Sequence, residues 1–267
     1  MQKPAPFALL LIVVLAACQT TTPSWQKYIR GVSSAQSSIE YSVEPGGESK
    51  AAVVAKQMID FSAFLSREIF SDTKAPGLRA VFYNNNESYS KSRPLDIESL
   101  AHFQLATATI HLPVTLQDEV WKHEVIHAIL FAKQPNYPFW LQEGSALLLQ
   151  RIKARPVCNS RLQLPAGLYL LRLNLLQNRP SLPVNQTSPA LTDNHTAVYE
   201  ATALAAYYVF YLWQQKKLLQ TLRQSVDESR QPFLILYSGN YNELQTDEIK
   251  FYEWLETDQS VQAASGC

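Results

Sequence analysis

His123-Glu124-Val125-Ile126-His127 reads H-E-x-x-H, and the rest of the chain is arranged around it. Residues four apart share one face of a helix, so the two imidazoles can converge on a single ion. Neutral imidazole nitrogen suits zinc, whose catalytic sites combine three protein ligands with an open position for water. Glu124 directly follows the first histidine and can reach that water as general base. The flanks predict a helix. Leu116, Val120, Ile126 and Leu130 recur at roughly helical spacing, Thr115 offers an N-cap, and Asp118 and Glu119 fill the first turn.

Downstream, a loop with Pro135 and Pro138 precedes a second predicted helix, Phe139 to Leu149, whose one acid is Glu143. A buried carboxylate is costly unless paired or bound to metal, so Glu143 has a physical reason to face His123 and His127. Gly144 beside it permits close approach of two helices. Upstream, Phe103 to Leu112 reads as one strand, with Ala108, Ile110 and Leu112 on one face and Thr107, Thr109 and His111 on the other. His111 is expected on the exposed face rather than as a ligand, and the strand could offer an edge to an extended peptide. Ile39 to Val43 and Leu78 to Tyr83 are further strands, Ser49 to Phe70 is a helix, and Glu87 to Arg93 is a loop or short helix. After the second motif helix, Leu168 to Leu176, Ala197 to Leu219 and Gln231 to Trp254 read as helical. Asn178 to Asn194, with three prolines, is a long loop able to rim a cleft. The fold class is therefore α+β, a small sheet packed on the H-E-x-x-H helix and then a mainly helical half.

His123-Glu124-x-x-His127, a short loop and Trp140-x-x-Glu143-Gly144-x-Ala146 together resemble the gluzincins, the thermolysin-like metallopeptidases. The pattern is most similar to the bacterial peptidase-MA-like group, over about residues 101–151. The resemblance implies a zincin-like domain over 49–267, divided into an α/β part (49–131) and a helical part (132–267). It implies one Zn2+ on His123, His127 and Glu143, with Glu124 as base and proton shuttle. It also implies an oxyanion donor from a later helix, where Tyr199 and His195 are the candidates; the other reading of Tyr199 is packed core. Two departures stand out. Leu130 to Lys133 lack the glycine and third histidine of the metzincin motif. Leu147 replaces the aspartate that orients a histidine in the thermolysin type, so that hydrogen bond must come from elsewhere, with Asp118 and Glu119 as candidates.

The chain of 267 residues is 46% hydrophobic, enough for a substantial core. Lys plus Arg equals Asp plus Glu at 23 each, so no global field favours nucleic acid. Residues 1–17 read as a signal peptide, with Lys3 before an apolar run, Phe7 to Ala17, too short to span a bilayer. Leu15-Ala16-Ala17-Cys18 resembles a bacterial lipobox, which implies cleavage before Cys18 and its lipidation, with 18–48 as a polar tether. Gln19 after the cysteine favours the outer membrane, facing the periplasm. Cys158 and Cys267 remain, and outside the cytoplasm they can pair as a disulfide. The expected partners are a peptide or protein substrate and, through the lipid, a membrane. Three functions fit: a zinc metallopeptidase, a zinc amidase on cell-wall peptide, or a non-catalytic zinc-bearing lipoprotein acting in binding or assembly. Glu124 speaks against the last, since structural zinc needs no base there.

Overall fold

Alternating apolar residues build the sheet that carries the motif helix. The computed structural model describes residues 30–93, 99–153, 157, 160–185, 195–227 and 231–265. Strands β1 (Arg30–Ser33), β2 (Ser38–Val43), β3 (Leu78–Tyr83), β4 (His102–Gln104) and β5 (Thr109–Pro113) lie in the order β1-β2-β3-β5-β4. The central three are parallel, while β1 and β4 run antiparallel at the two edges. Ile39, Tyr41 and Val43, then Leu78, Ala80 and Phe82, then Ile110 and Leu112 turn one face into the core. Helices α1 (Glu48–Phe70) and α3 (Asp118–Lys133) pack on that face. On the opposite face α2 (Asn86–Ser92) adds Tyr89 to Val81 and Tyr83, forming a small separate cluster.

The remainder is helical: α4 (Phe139–Leu149), α5 (Tyr169–Asn178), α6 (His195–Gln214), α7 (Leu218–Asp227), α8 (Pro232–Tyr237) and α9 (Tyr241–Glu256). A two-stranded ladder, β6 (Arg161–Leu162) with β7 (Ala264–Ser265), closes it. From Ala203 to Trp213 every residue of α6 is buried, so this helix is the centre of the second half. One apolar cluster runs from Ile39 to Leu255, joining both halves. Among the described residues no helix is long and apolar enough to cross a membrane.

Four expectations are corrected. Phe103 to Leu112 is not one strand: a 3-10 turn at Leu105–Thr107 and Ala108 at φ 51° fold it into the β4–β5 hairpin. The edge is thus the three-residue β4, and β5 is interior. Ala197 to Leu219 is broken at Lys216, also at positive φ, giving α6 and α7. Thr115 does not cap α3, which starts after Gln117 without a side-chain cap; its hydroxyl lies 3.5 Å from Asn86 Oδ1 instead. The domain also starts earlier than residue 49, because β1 and β2 lie within the segment assigned to the tether. The leader, Cys18, Cys158, Cys267 and most of the 178–194 loop lie outside the described residues.

Gly144 shows how tightly α4 sits on α6. A Cβ built there would overlap the Ala205 carbonyl oxygen and lie 2.5 Å from Val209 Cγ2. The obstacle is largely helix backbone, which cannot rotate away. Gly144→Ala should therefore cost about 3 kcal/mol, the upper end of ordinary overpacking, read as a lowered denaturant midpoint at unchanged slope.

Candidate metal centre

Helical spacing places His123 and His127 one turn apart on α3, while Trp121, Val125 and Ile129 face the core. Glu143 comes from the first half of α4, carried there by the Gly144 contact with α6. His123 Nε2 and His127 Nε2 lie 3.0 Å apart, and the Glu143 oxygens lie 3.4 Å and 3.3 Å from them respectively. These separations approach the ~3.3 Å edge of a tetrahedron of ligands about 2.0–2.1 Å from a zinc ion. The side chains keep 16%, 13% and 21% of their surface exposed, so the cluster is mostly buried but reachable. Two neutral imidazoles and a carboxylate are a donor set that zinc accepts. The residues fit the ion.

The three side chains are coupled electrostatically. Burial opposes protonation of His123, but hydrogen bonding and charge from Glu143, helped by Glu124 and Gln150, raise its pKa to about 9. Burial likewise opposes the Glu143 carboxylate, yet hydrogen bonds to His123 and His127 hold it well below the usual carboxylate range. Glu124, 7% exposed, is pushed up chiefly by burial, against the pull of the two histidines. Its carboxylate accepts a hydrogen bond from the Phe103 N–H of β4. A carboxylate held above its ordinary range is suited to taking a proton near neutral pH.

Gln150, at the end of α4 and buried, hydrogen-bonds the His123 side chain. Its amide nitrogen donates to Leu147 O at 3.2 Å, which leaves its oxygen to accept from the ring. Gln150 thus stands where the partner sought at Leu147 is needed. Asp118 and Glu119 do not supply it: Asp118 bonds Trp121 Nε1 at 3.4 Å, and Glu119 pairs with Arg151 at 3.2 Å. Gln150 stands seven residues after Glu143, two turns along the same helix face. That spacing, in an otherwise apolar helix, was a usable signal. Gln150→Leu should weaken zinc binding about tenfold to a hundredfold, measured by competition with a chelating dye.

The centre opens into a cavity of ≈ 710 Å³. One wall is β4 and its turn, with His102, Phe103 and Leu105; the other is the 135–139 loop, then Gln142 and Gln231. Phe103 packs edge-on against Phe131 of α3, which ties β4 to the motif helix. Tyr199 is not brought to the site. It is 57% exposed and does not line the cavity, which corrects both its reading as oxyanion donor and its reading as packed core. The side chain of His195 lies outside the described residues.

His111 is not on an exposed face. Its ring stacks on His102 at 4.7 Å and 2°, its Nδ1 lies 3.2 Å from Tyr83 Oη, and its Nε2 is buried. Burial first, and the charge of His102 second, lower its pKa to about 4. A histidine depressed from 6.5 in the folded state contributes stability that is present above pH 6.5 and is lost as pH falls towards 4. Between pH 7 and pH 5, His111→Gln should lose about 1–2 kcal/mol less stability than the parent, read by urea unfolding at both pH values.

No family model matches the sequence, and no curated protein matches it. Among solved structures, the chain is similar to the M1 zinc metallopeptidase from Deinococcus radiodurans, at 15% identity and a TM-score of 0.43. The match covers 90% of this chain and 54% of that one, so the chain spans about half that protein's length. A mixed α+β chain with a His123–His127–Glu143 grouping able to hold a metal ion is what the structure establishes.

Proposed function

We propose that this protein is a zinc-dependent peptidase of gluzincin type, acting outside the cytoplasm. The observation that carries the proposal is the convergence of His123, His127 and Glu143 at tetrahedral spacing beside the buried Glu124. Zinc bound there supplies Lewis acidity and lowers the pKa of a water towards neutrality. Glu124 accepts a proton from the attacking water and returns it to the leaving amine, which breaks the amide bond. Phe103 N–H fixes the direction in which Glu124 presents its carboxylate, and Gln150 fixes the ring of His123. Phe103, Leu105 and Phe139 add apolar surface to the walls of the cavity.

The placement of this activity rests on residues 1–19. Lipidation of Cys18 would anchor the domain to a bacterial envelope membrane, with Gln19 favouring the outer membrane. A peptide library incubated with the purified protein, with and without chelator, tests the activity. Cleavage abolished by chelator and restored by zinc supports it; chelator-insensitive cleavage, or none after zinc loading, contradicts it.

A further inference from the structure

The side-chain amides of Asn136, Gln142 and Gln231 line the metal cavity. Asn136 and Gln231 are exposed, whereas Gln142 is half-buried and held at one end by a hydrogen bond. It stands on α4 directly before Glu143. A peptide lying over the metal brings main-chain N–H groups into the cavity as well as carbonyls, and an N–H taken from water without an acceptor is costly. The metal and Glu124 serve the carbonyl and the water. The N–H needs an acceptor on the wall.

The partner of Gln142 settles which end of its amide is which. The side chain lies 2.8 Å from Tyr137 O, a main-chain carbonyl that can only accept, so Nε2 is the end that faces it. That carbonyl is itself fixed. Tyr137 is buried, its hydroxyl donates to Leu222 O of α7 at 2.7 Å, and its N–H donates to Gln134 O at 3.1 Å. With Nε2 committed, Oε1 is turned away from Tyr137 O. It has no protein partner among the described residues and is not sealed from solvent. An amide does not titrate, so this oxygen is an acceptor at every working pH.

We propose that Gln142 is a substrate-binding residue of the metal cavity. Its Oε1 accepts a hydrogen bond from a main-chain N–H beside the scissile bond, and Tyr137 is the residue that positions it. This rests on the peptidase reading above and adds to it a preference for amide over ester, since an ester in the same place has no N–H to offer. No covalent bond changes in the contact. The loop that walls the cavity thus also sets the acceptor, and α7 behind it holds the loop through Leu222.

The test uses zinc-loaded protein and a set of hydroxamates. Acetohydroxamate reaches only the metal. N-acetylphenylalanine hydroxamate adds a main-chain N–H beside the metal-binding group, and its O-acetylphenyllactate analogue replaces that N–H by an ester oxygen. The parent should bind the N–H compound about tenfold more tightly than the ester, the effect of one hydrogen bond. Gln142→Met keeps the length of the side chain and removes both polar atoms. It should bind the two compounds within about twofold of each other, with zinc content and acetohydroxamate binding as in the parent. A merely structural role, exerted through Tyr137, would weaken both compounds alike and leave the tenfold ratio intact. That result overturns the proposal, as does a parent that does not distinguish the two compounds. Should Gln142→Met fail to fold, Gln142→Ala takes its place under the same criteria, and the ratio in the parent remains decisive by itself. If the parent holds no zinc and binds none of the hydroxamates, the metal-site reading fails and this inference falls with it. If the parent binds them all and its ratio survives in Gln142→Met, only this inference fails.

Discussion

Glu124→Gln retains its metal and loses hydrolysis by about a thousandfold, the middle of the range for removing a general base. Glutamine has the shape of glutamate, and its carbonyl oxygen can still accept the Phe103 N–H that holds residue 124 in place. What it cannot do is take a proton. The loss should therefore fall on kcat, with KM little changed, because substrate contacts from the cavity walls remain. Stability should stay equal or rise slightly, since a buried carboxylate whose pKa burial has raised is replaced by a neutral amide. Zinc content by elemental mass spectrometry and single-turnover cleavage check both halves of this result. Undiminished turnover with full metal would remove Glu124 from its assigned role.

Glu143→Ala lowers zinc affinity by about a thousandfold. One of three ligands carries about a third of roughly 12 kcal/mol of apparent zinc-binding energy, or about 4 kcal/mol. The carboxylate touches both Nε2 atoms, at 3.4 Å and 3.3 Å, so truncation to alanine leaves the two histidines without their common acidic partner. The fold should survive, because Glu143 keeps part of its surface exposed and α4 packs on α6 through Gly144 and through Trp140 against Tyr208 instead. Competition against a chelator of known affinity, with far-ultraviolet circular dichroism on the same samples, separates metal loss from unfolding. Zinc held as tightly as in the parent would mean that Glu143 is not a ligand.

The helices of the centre were legible because periodicity and chemistry agreed there. Four-residue spacing put His123 and His127 on one face, and a lone acid in an apolar helix had few other reasons to exist at Glu143. The strands at 39–43 and 78–83 were legible for a similar reason, since alternation marks one buried face. The hairpin was not. Its reversal depends on Ala108 at positive φ, a conformation alanine rarely takes, so the sequence carries no glycine or asparagine to announce it. The break at Lys216 was hidden in the same way. Tyr199 misled because its place near the start of a rich apolar helix says nothing about which side of the domain that helix start faces. Gln150 was missed although its spacing after Glu143 marks it, because the spacing does not name its partner, His123, which only the fold brings beside it.

The central claim is that His123, His127 and Glu143 together hold one zinc ion. Elemental analysis of the purified protein, run beside His123→Ala, tests it most directly. About one zinc per chain in the parent, removed by chelator and largely absent from His123→Ala, is the predicted result. A parent free of zinc after equilibration with the ion, or a His123→Ala variant that binds it equally, would contradict the account.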